Sequence, residues 1–249
     1  MSEIIKAQIP ISVLKKIRED LMIPILGTHE EKKKIIEKQN YATQFIIKTF
    51  YNKKDDEGKK RIIQSGIVDI LIFIFGRREL SQITRNIILA FQVLSYPYND
   101  EIILLLYQKN PFSGLLRLYE HRDNVVTFDG LLFILNIIVD DFNTTSDNSH
   151  RPYYDTINAC RGIEKIMKLF RINGNKKTKD TAAIRHGQIF RAKEINDKQM
   201  PIELIRHLKT LVNDTDEWTY TNSKLTLCHL ALNTLNRAEI ESDVFAIPE

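Results

Sequence analysis

The stretch SGIVDILIFIF (residues 65–75) carries one charge, Asp69, in eleven residues. Taken alone it reads equally as a buried strand, a buried helix or part of a membrane span, and its β-branched and aromatic content favours the strand. The decision comes from what recurs downstream. A glycine that follows a small or polar residue and opens an apolar run stands at Gly66 (GIVDILIFIF), Gly114 (GLLRLY) and Gly162 (GIEKIMKLF), at two equal intervals of 48 residues. In the third copy the apolar residues Ile163, Ile166, Met167 and Phe170 follow i, i+3, i+4, i+7. That spacing makes one face of an α-helix and cannot make one face of a strand. Position for position, residues 65–75 are therefore expected to be helical, with apolar residues on the outer face where neighbours cover more of it.

A second set of segments follows each of these. DNVVTFDGLLFILNIIV from Asp123 aligns without gaps to DTAAIRHGQIFRAKEIN from Asp180, sharing Gly130/Gly187, Phe133/Phe190 and Ile138/Ile195. The same frame places EKQNYATQFIIKTF (37–50), NIILAFQVLS (86–95) and LTLCHLALNTLN (225–236). Cys228 falls where Gly130 and Gly187 fall, which predicts a small residue at a close helix crossing. Each unit then holds a helix after the glycine, a polar loop and a longer helix, with a short leading helix in some units (residues 100–107 and 153–159). No such unit can cover its own apolar faces; stacking buries them between neighbours, which explains an interior segment as apolar as GLLFILNIIV. The polar stretches EEKKKIIEKQ (30–39) and NRAEIESD (236–243) suit the outer faces of terminal units.

This pattern resembles the armadillo repeat, in which G-I-x-x-L-v-x-L-L and a short loop precede a third helix ending A-L-x-N-L. The matching residues are Gly66-Ile67-Val68-Asp69-Ile70-Leu71, with endings at Ala90-Phe91-Gln92-Val93-Leu94 and Ala231-Leu232-Asn233-Thr234-Leu235. The resemblance implies an all-α, right-handed α-solenoid, an armadillo-like superhelix of about five degenerate repeats at 12–52, 53–96, 97–142, 150–196 and 197–237. They form a single repeat domain with a C-terminal tail at 238–249. It also implies a non-enzymatic protein-interaction scaffold that docks an extended or helical segment along the third-helix face. The family's groove asparagine maps to Thr49, Val93, Asn136, Lys193 and Thr234. Only Asn136 keeps the amide and Val93 can neither donate nor accept, so a regular asparagine ladder is absent. Thr49, Asn136, Lys193 and Thr234 are the expected contacts, with Arg185 attracting acid.

Charge is uneven. Residues 161–198 hold eleven basic and four acidic side chains, a net +7 in a chain whose formal net charge is +4. The segment RINGNKKTKD (171–180) reads as a long basic loop carrying Lys176, Lys177 and Lys179. A basic loop could hold an acidic protein partner or a phosphate backbone, so the partner expected is a protein or peptide, acidic in character, with nucleic acid as the alternative. Trp218, the single tryptophan, reads as a lid on the last unit's core or as an interface anchor.

Other chemistries find little support. GNKKT (174–178) lacks the first glycine of a phosphate loop, and DDFNTTSDNS (140–149) lacks the glycine of a calcium loop. The six histidines have no zinc-ligand spacing, and Asp129 is the one acid well inside a third helix. No catalytic residue, metal site or cofactor is expected. Two cysteines, Cys160 and Cys228, are too few for a disulfide framework and suit a reducing compartment. MSEIIKAQIP has no signal-peptide pattern, and no apolar run reaches the length of a membrane span. The expected location is cytoplasmic, with the nucleus as the alternative.

Overall fold

Residues 67–75 are helical in the computed structural model, which describes residues 9–138, 153–172, 175–195, 199–243 and 245–247, apart from the side chains of residues 133, 135–138 and 153. The helix spans Ile67–Arg77 and buries Ile67, Val68, Ile70, Leu71, Ile74 and Phe75. That wide apolar arc is the reason its sequence mimics a strand. Gly66 opens it with φ +84, a left-handed conformation that glycine adopts without steric cost. Among the described residues every regular element is helical, and no helix is long and apolar enough to cross a membrane.

The chain divides into two compact units, Met1–Ile137 and Ile138–Glu249, where the repeat reading drew one domain. The first holds α1 (Ile11–Met22), α2 (His29–Phe50), α3 (Asp56–Gln64), α4 (Ile67–Arg77), α5 (Arg85–Ser95), α6 (Asp100–Gln108), α7 (Phe112–Arg117) and α8 (Asn124–Ile138). Packing follows the repeat. The second helices form one layer, α1 on α4 and α4 on α7; the third helices α2 and α5 pack side by side; the short leading helices α3 and α6 pair in the same way. The core between them is closed by large side chains, with Phe75 and Phe91 edge to face at 5.6 Å. The exposed first half of α2 begins in a capping box in which Thr28 Oγ1 accepts from the Glu31 amide and the Glu31 carboxylate accepts from the Thr28 amide.

The second unit holds α9 (Tyr153–Ala159), α10 (Gly162–Ile172), α11 (Lys176–Ile189), α12 (Met200–Leu211), α13 (Glu217–Leu230) and α14 (Thr234–Glu241). Here α10 packs on α11, α11 on α12 and α13, and α12 and α13 on α14.

The equal glycine spacing is not the structural register. In these three copies the left-handed residue ahead of the second helix is Gly66, then Asn110 (φ 50), then Arg161 (φ 55). Gly114 instead lies inside α7, where a Cβ would meet Phe75 Cβ at 3.0 Å and the backbone of α4 at 3.3 Å. The glycine permits close approach there rather than a turn. Cys228 is exposed, so the close-crossing reading fails for it; the crossing of α11 on α13 is made at Gly187, whose added Cβ would collide with Thr226 Cγ2. The long basic loop is also corrected: α10 continues to Ile172 and α11 begins at Lys176, so Lys176, Lys177 and Lys179 are helical. Asn175 supplies the missed start, its side chain accepting from the Lys177 amide.

One device ties successive second helices together. Arg78, just past α4, donates through Nη2 to Leu21 O at the end of α1 and through Nη1 to Gln39 Oε1. Arg117, at the end of α7, donates through Nη1 to Phe75 O (3.0 Å) and Arg78 O (2.6 Å) at the end of α4. Each cation thus satisfies carbonyls left without partners at the C-terminus of the preceding helix, where the helix dipole also favours positive charge. Arg117→Ala should lower unfolding free energy by about 2 kcal/mol, the usual worth of hydrogen bonds from a charged donor. A urea midpoint equal to that of the unchanged protein would show that the clasp contributes nothing.

Candidate interaction surface

The third helices of the first unit leave an open face. Four residues before Thr49, Val93 and Asn136 in the common frame stand Phe45, Leu89 and Leu132, on α2, α5 and α8, and all three are half-buried. The packing of α2 on α5 sets Phe45 and Leu89 on neighbouring helices. Around them lie the exposed Tyr41, Gln44 and Lys48 of α2 and the half-buried Gln92 of α5. Arg85, whose side chain is 57% exposed, bridges α5 to α8 through Asp129 Oδ2 at 2.7 Å. Asp129 is itself buried, and this pairing also raises the arginine's pKa. Asp129 is thereby held in an ion pair with Arg85.

Of the expected contact positions, Thr49, Val93 and Asn136 fall in the first unit and Lys193 and Thr234 in the second. Thr49 is on α2, half-buried, with its hydroxyl donating back to Phe45 O at 2.7 Å. Such a bond within the helix occupies the donor that a ligand would need. Val93 is buried. Asn136 belongs to α8, but its side chain lies outside the described residues. Lys193 lies past the end of α11 with its ammonium 3.4 Å from the Tyr154 ring centroid, a cation–π seat. Thr234 is the exposed first residue of α14: the segment read as one helix over 225–236 breaks after Leu230, and Asn233 caps a new helix by accepting from the Leu235 and Asn236 amides.

Arg185, expected to face acid from the groove, is 4% exposed. Its Nη1 donates to Gln188 Oε1 at 2.6 Å, and its guanidinium lies 4.8 Å from the ring centre of Trp218. Trp218 therefore shields Arg185 while keeping 38% of its own surface exposed. Nearly every residue of α11 from Thr178 on is buried although half of them are polar. Several of the polar side chains are paired. Asp180 accepts from Lys176 at 2.9 Å and pairs with His207 Nε2 at 2.8 Å, and Lys176 reaches Asp214 at 2.6 Å. His186 stacks on Phe190 with Nε2 3.0 Å from Met200 Sδ, and burial, with Arg171's charge, pushes its pKa down to about 3. Periodicity could not find this helix, because it has no polar side.

The short carboxylate-rich segment at 140–149 lies outside the described residues. Among the described residues no three histidine, cysteine or carboxylate side chains gather as a metal site would require.

No protein-family model and no curated protein matches the chain. Solved structures do match. This is an armadillo-type helical-repeat chain in its fold. The designed armadillo repeat protein YIII(Dq)4CqI superposes with a TM-score of 0.66 at 15% identity, over 92% of this chain and 87% of that one. The designed protein YIII(Dq.V1)4CPAF, in complex with the peptide (KR)4, gives 0.63 at 15% identity over 92% and 87%. The armadillo-repeats-only protein ARO from Plasmodium falciparum gives 0.55 at 13% identity over 88% and 92%.

Proposed function

We propose that this chain is a non-enzymatic interaction scaffold whose first unit takes an extended or helical segment of a protein partner along its third-helix face. The observation that carries the reading is the row Phe45, Leu89 and Leu132. These are half-buried apolar side chains at one repeat position on successive third helices, fringed by Lys48, Arg85 and amides. Such a row gives apolar anchors at regular steps with polar groups beside them, the composition of a peptide groove. Designed armadillo proteins with this fold include one in complex with a basic peptide. With Arg85 paired to Asp129, the exposed Lys48 supplies the positive charge of the fringe, so an acidic segment is the complement. The five repeat units set out above, their right-handed coiling and a cytoplasmic or nuclear setting are part of the same reading.

Nucleic-acid binding through residues 161–198 is the weaker alternative. Lys176 is held between two carboxylates, Arg171 pairs with Glu203 at 2.9 Å, and Arg185 and Arg191 are buried. Four of the eleven cations are thereby paired or buried within the unit.

Random peptides selected on the immobilised full chain provide the test. Titration of the enriched peptides should weaken roughly ten-fold in Leu89→Asp, the loss of one buried apolar anchor, and several-fold in the exposed variant Lys48→Glu. Selected peptides that bind both variants as tightly as the parent protein would remove the third-helix face from consideration.

A further inference from the structure

The outer face of α4 should be polar, and at one position it is not. Asp69, Phe73 and Arg77 are exposed at four-residue steps, and Phe73 keeps 59% of its surface in contact with solvent. Next to it Met22 and Leu26, at and beyond the end of α1, are 56% and 68% exposed. These three side chains stand around a pocket of about 340 Å³, whose floor is Leu21, Ile25 and Ile74. The pocket lies between two successive second helices, so it is not simply the uncovered end of a stack. An open apolar patch around a concavity is the usual mark of an interaction site.

The charges at the rim say what fits. Arg77 and Arg78 line the pocket against a single acid, Glu79. Among the described residues no carboxylate pairs with either arginine: Arg78 donates only to the neutral acceptors Leu21 O and Gln39 Oε1, and burial lowers its pKa. Two of its five N–H donors are thereby used, leaving others for a group entering the pocket. A guanidinium half out of water with neutral partners gains most from an incoming carboxylate, through a charge-assisted bond in a site of reduced dielectric.

We infer that this pocket is a second docking site, which seats one large apolar side chain of an acidic peptide segment, with a neighbouring aspartate or glutamate of that segment on Arg78 and Arg77. Leucine, methionine and phenylalanine are the side chains whose size suits the cavity. The site stands on the second-helix layer of the first unit and does not depend on the third-helix face.

The experiment uses the full chain and a fluorescein-labelled decapeptide with a central Leu-Phe pair flanked by two carboxylates on each side, read by polarisation. Its controls replace the Leu-Phe pair by Ala-Ala, or all four acids by lysine. Saturable binding is expected for the acidic peptide and none for the lysine peptide. The affinity should fall roughly ten-fold with Phe73→Glu and with the Ala-Ala peptide, several-fold with Arg77→Glu, and not at all with Lys48→Glu on the other face. Phe73 and Arg77 are exposed, so both variants should keep the parent melting temperature, and Arg78 is left intact because it clasps α1. Failure of the acidic peptide to bind, equal binding of the lysine peptide, or indifference to Phe73→Glu would overturn the assignment. So would a dimer of this chain that Phe73→Glu dissolves while no peptide binds, since the occupant would then be a second copy.

Discussion

Lys59→Ala should destabilise the first unit by about 3 kcal/mol, the cost of two stranded carbonyls together with the void left by the stem. Lys59 has no exposed surface, an unusual state for lysine. Its ammonium donates to Tyr96 O at 3.0 Å and Pro97 O at 3.2 Å, fastening α3 to the turn that follows α5. Burial pushes its pKa below the ordinary lysine value, against the opposing pull of Asp56 and Asp55. Lys59→Met separates the two contributions, because it keeps most of the stem's volume and removes only the donor. A loss of about 1–2 kcal/mol is expected for methionine. A methionine variant more stable than the parent in urea would mean that desolvating the ammonium costs more than its two bonds return.

Acid should weaken the second unit well before its carboxylates titrate. His186 is fully buried, with its pKa at about 3 in the folded chain against 6.5 when free. The sign follows from proton counting. Between these values the unfolded chain binds a proton that the folded chain excludes, so stability is complete above about pH 6.5 and falls as pH drops toward 3. From pH 6.5 to 5 the loss is about 2 kcal/mol, at roughly 1.4 kcal/mol per pH unit for one proton. His207 adds to it in the same direction: burial lowers its pKa, and the bond to Asp180 only partly offsets this. Asp214 and Asp216, lowered from 3.8 by hydrogen bonds from Lys176 and Thr219 respectively, act only at lower pH. Urea unfolding at pH 7, 6 and 5 reads the histidine window alone. His186→Leu should flatten the profile, and a slope unchanged by that substitution would place the acid sensitivity elsewhere.

The helical character of residues 67–75 was readable because α10, its counterpart at Gly162–Ile172, keeps a bare amphipathic spacing. The alternation of second and third helices through Ile138 was readable for the same reason. The site was far less so. Arg185 and Lys193 were expected on one third helix, yet α11 ends at Ile189, before Lys193, and Arg185 is buried, so charge reversal there would put a carboxylate into the unit's interior. Thr234 was misplaced because Asn233 restarts a helix where the repeat pattern implied continuation. Phe73 was available to be noticed, as an apolar residue on the stripe marked by Asp69 and Arg77. An exposed face is recognisable only once the neighbours that cover the others are known.

What the sequence determined by itself was the fold class. Periodic apolar spacing and the recurrence of one pattern depend on local geometry, and a helix that must bury a face leaves that demand in its own residues. What the tertiary structure alone decided was the register and the surface: left-handed residues at Gly66, Asn110 and Arg161, a polar helix buried over most of its length, a lysine with no water, and a pocket bordered by Arg77 and Arg78. These depend on which side chains meet across helices distant in sequence, and burial of a charge or a polar helix is settled only by the partners that such meetings supply.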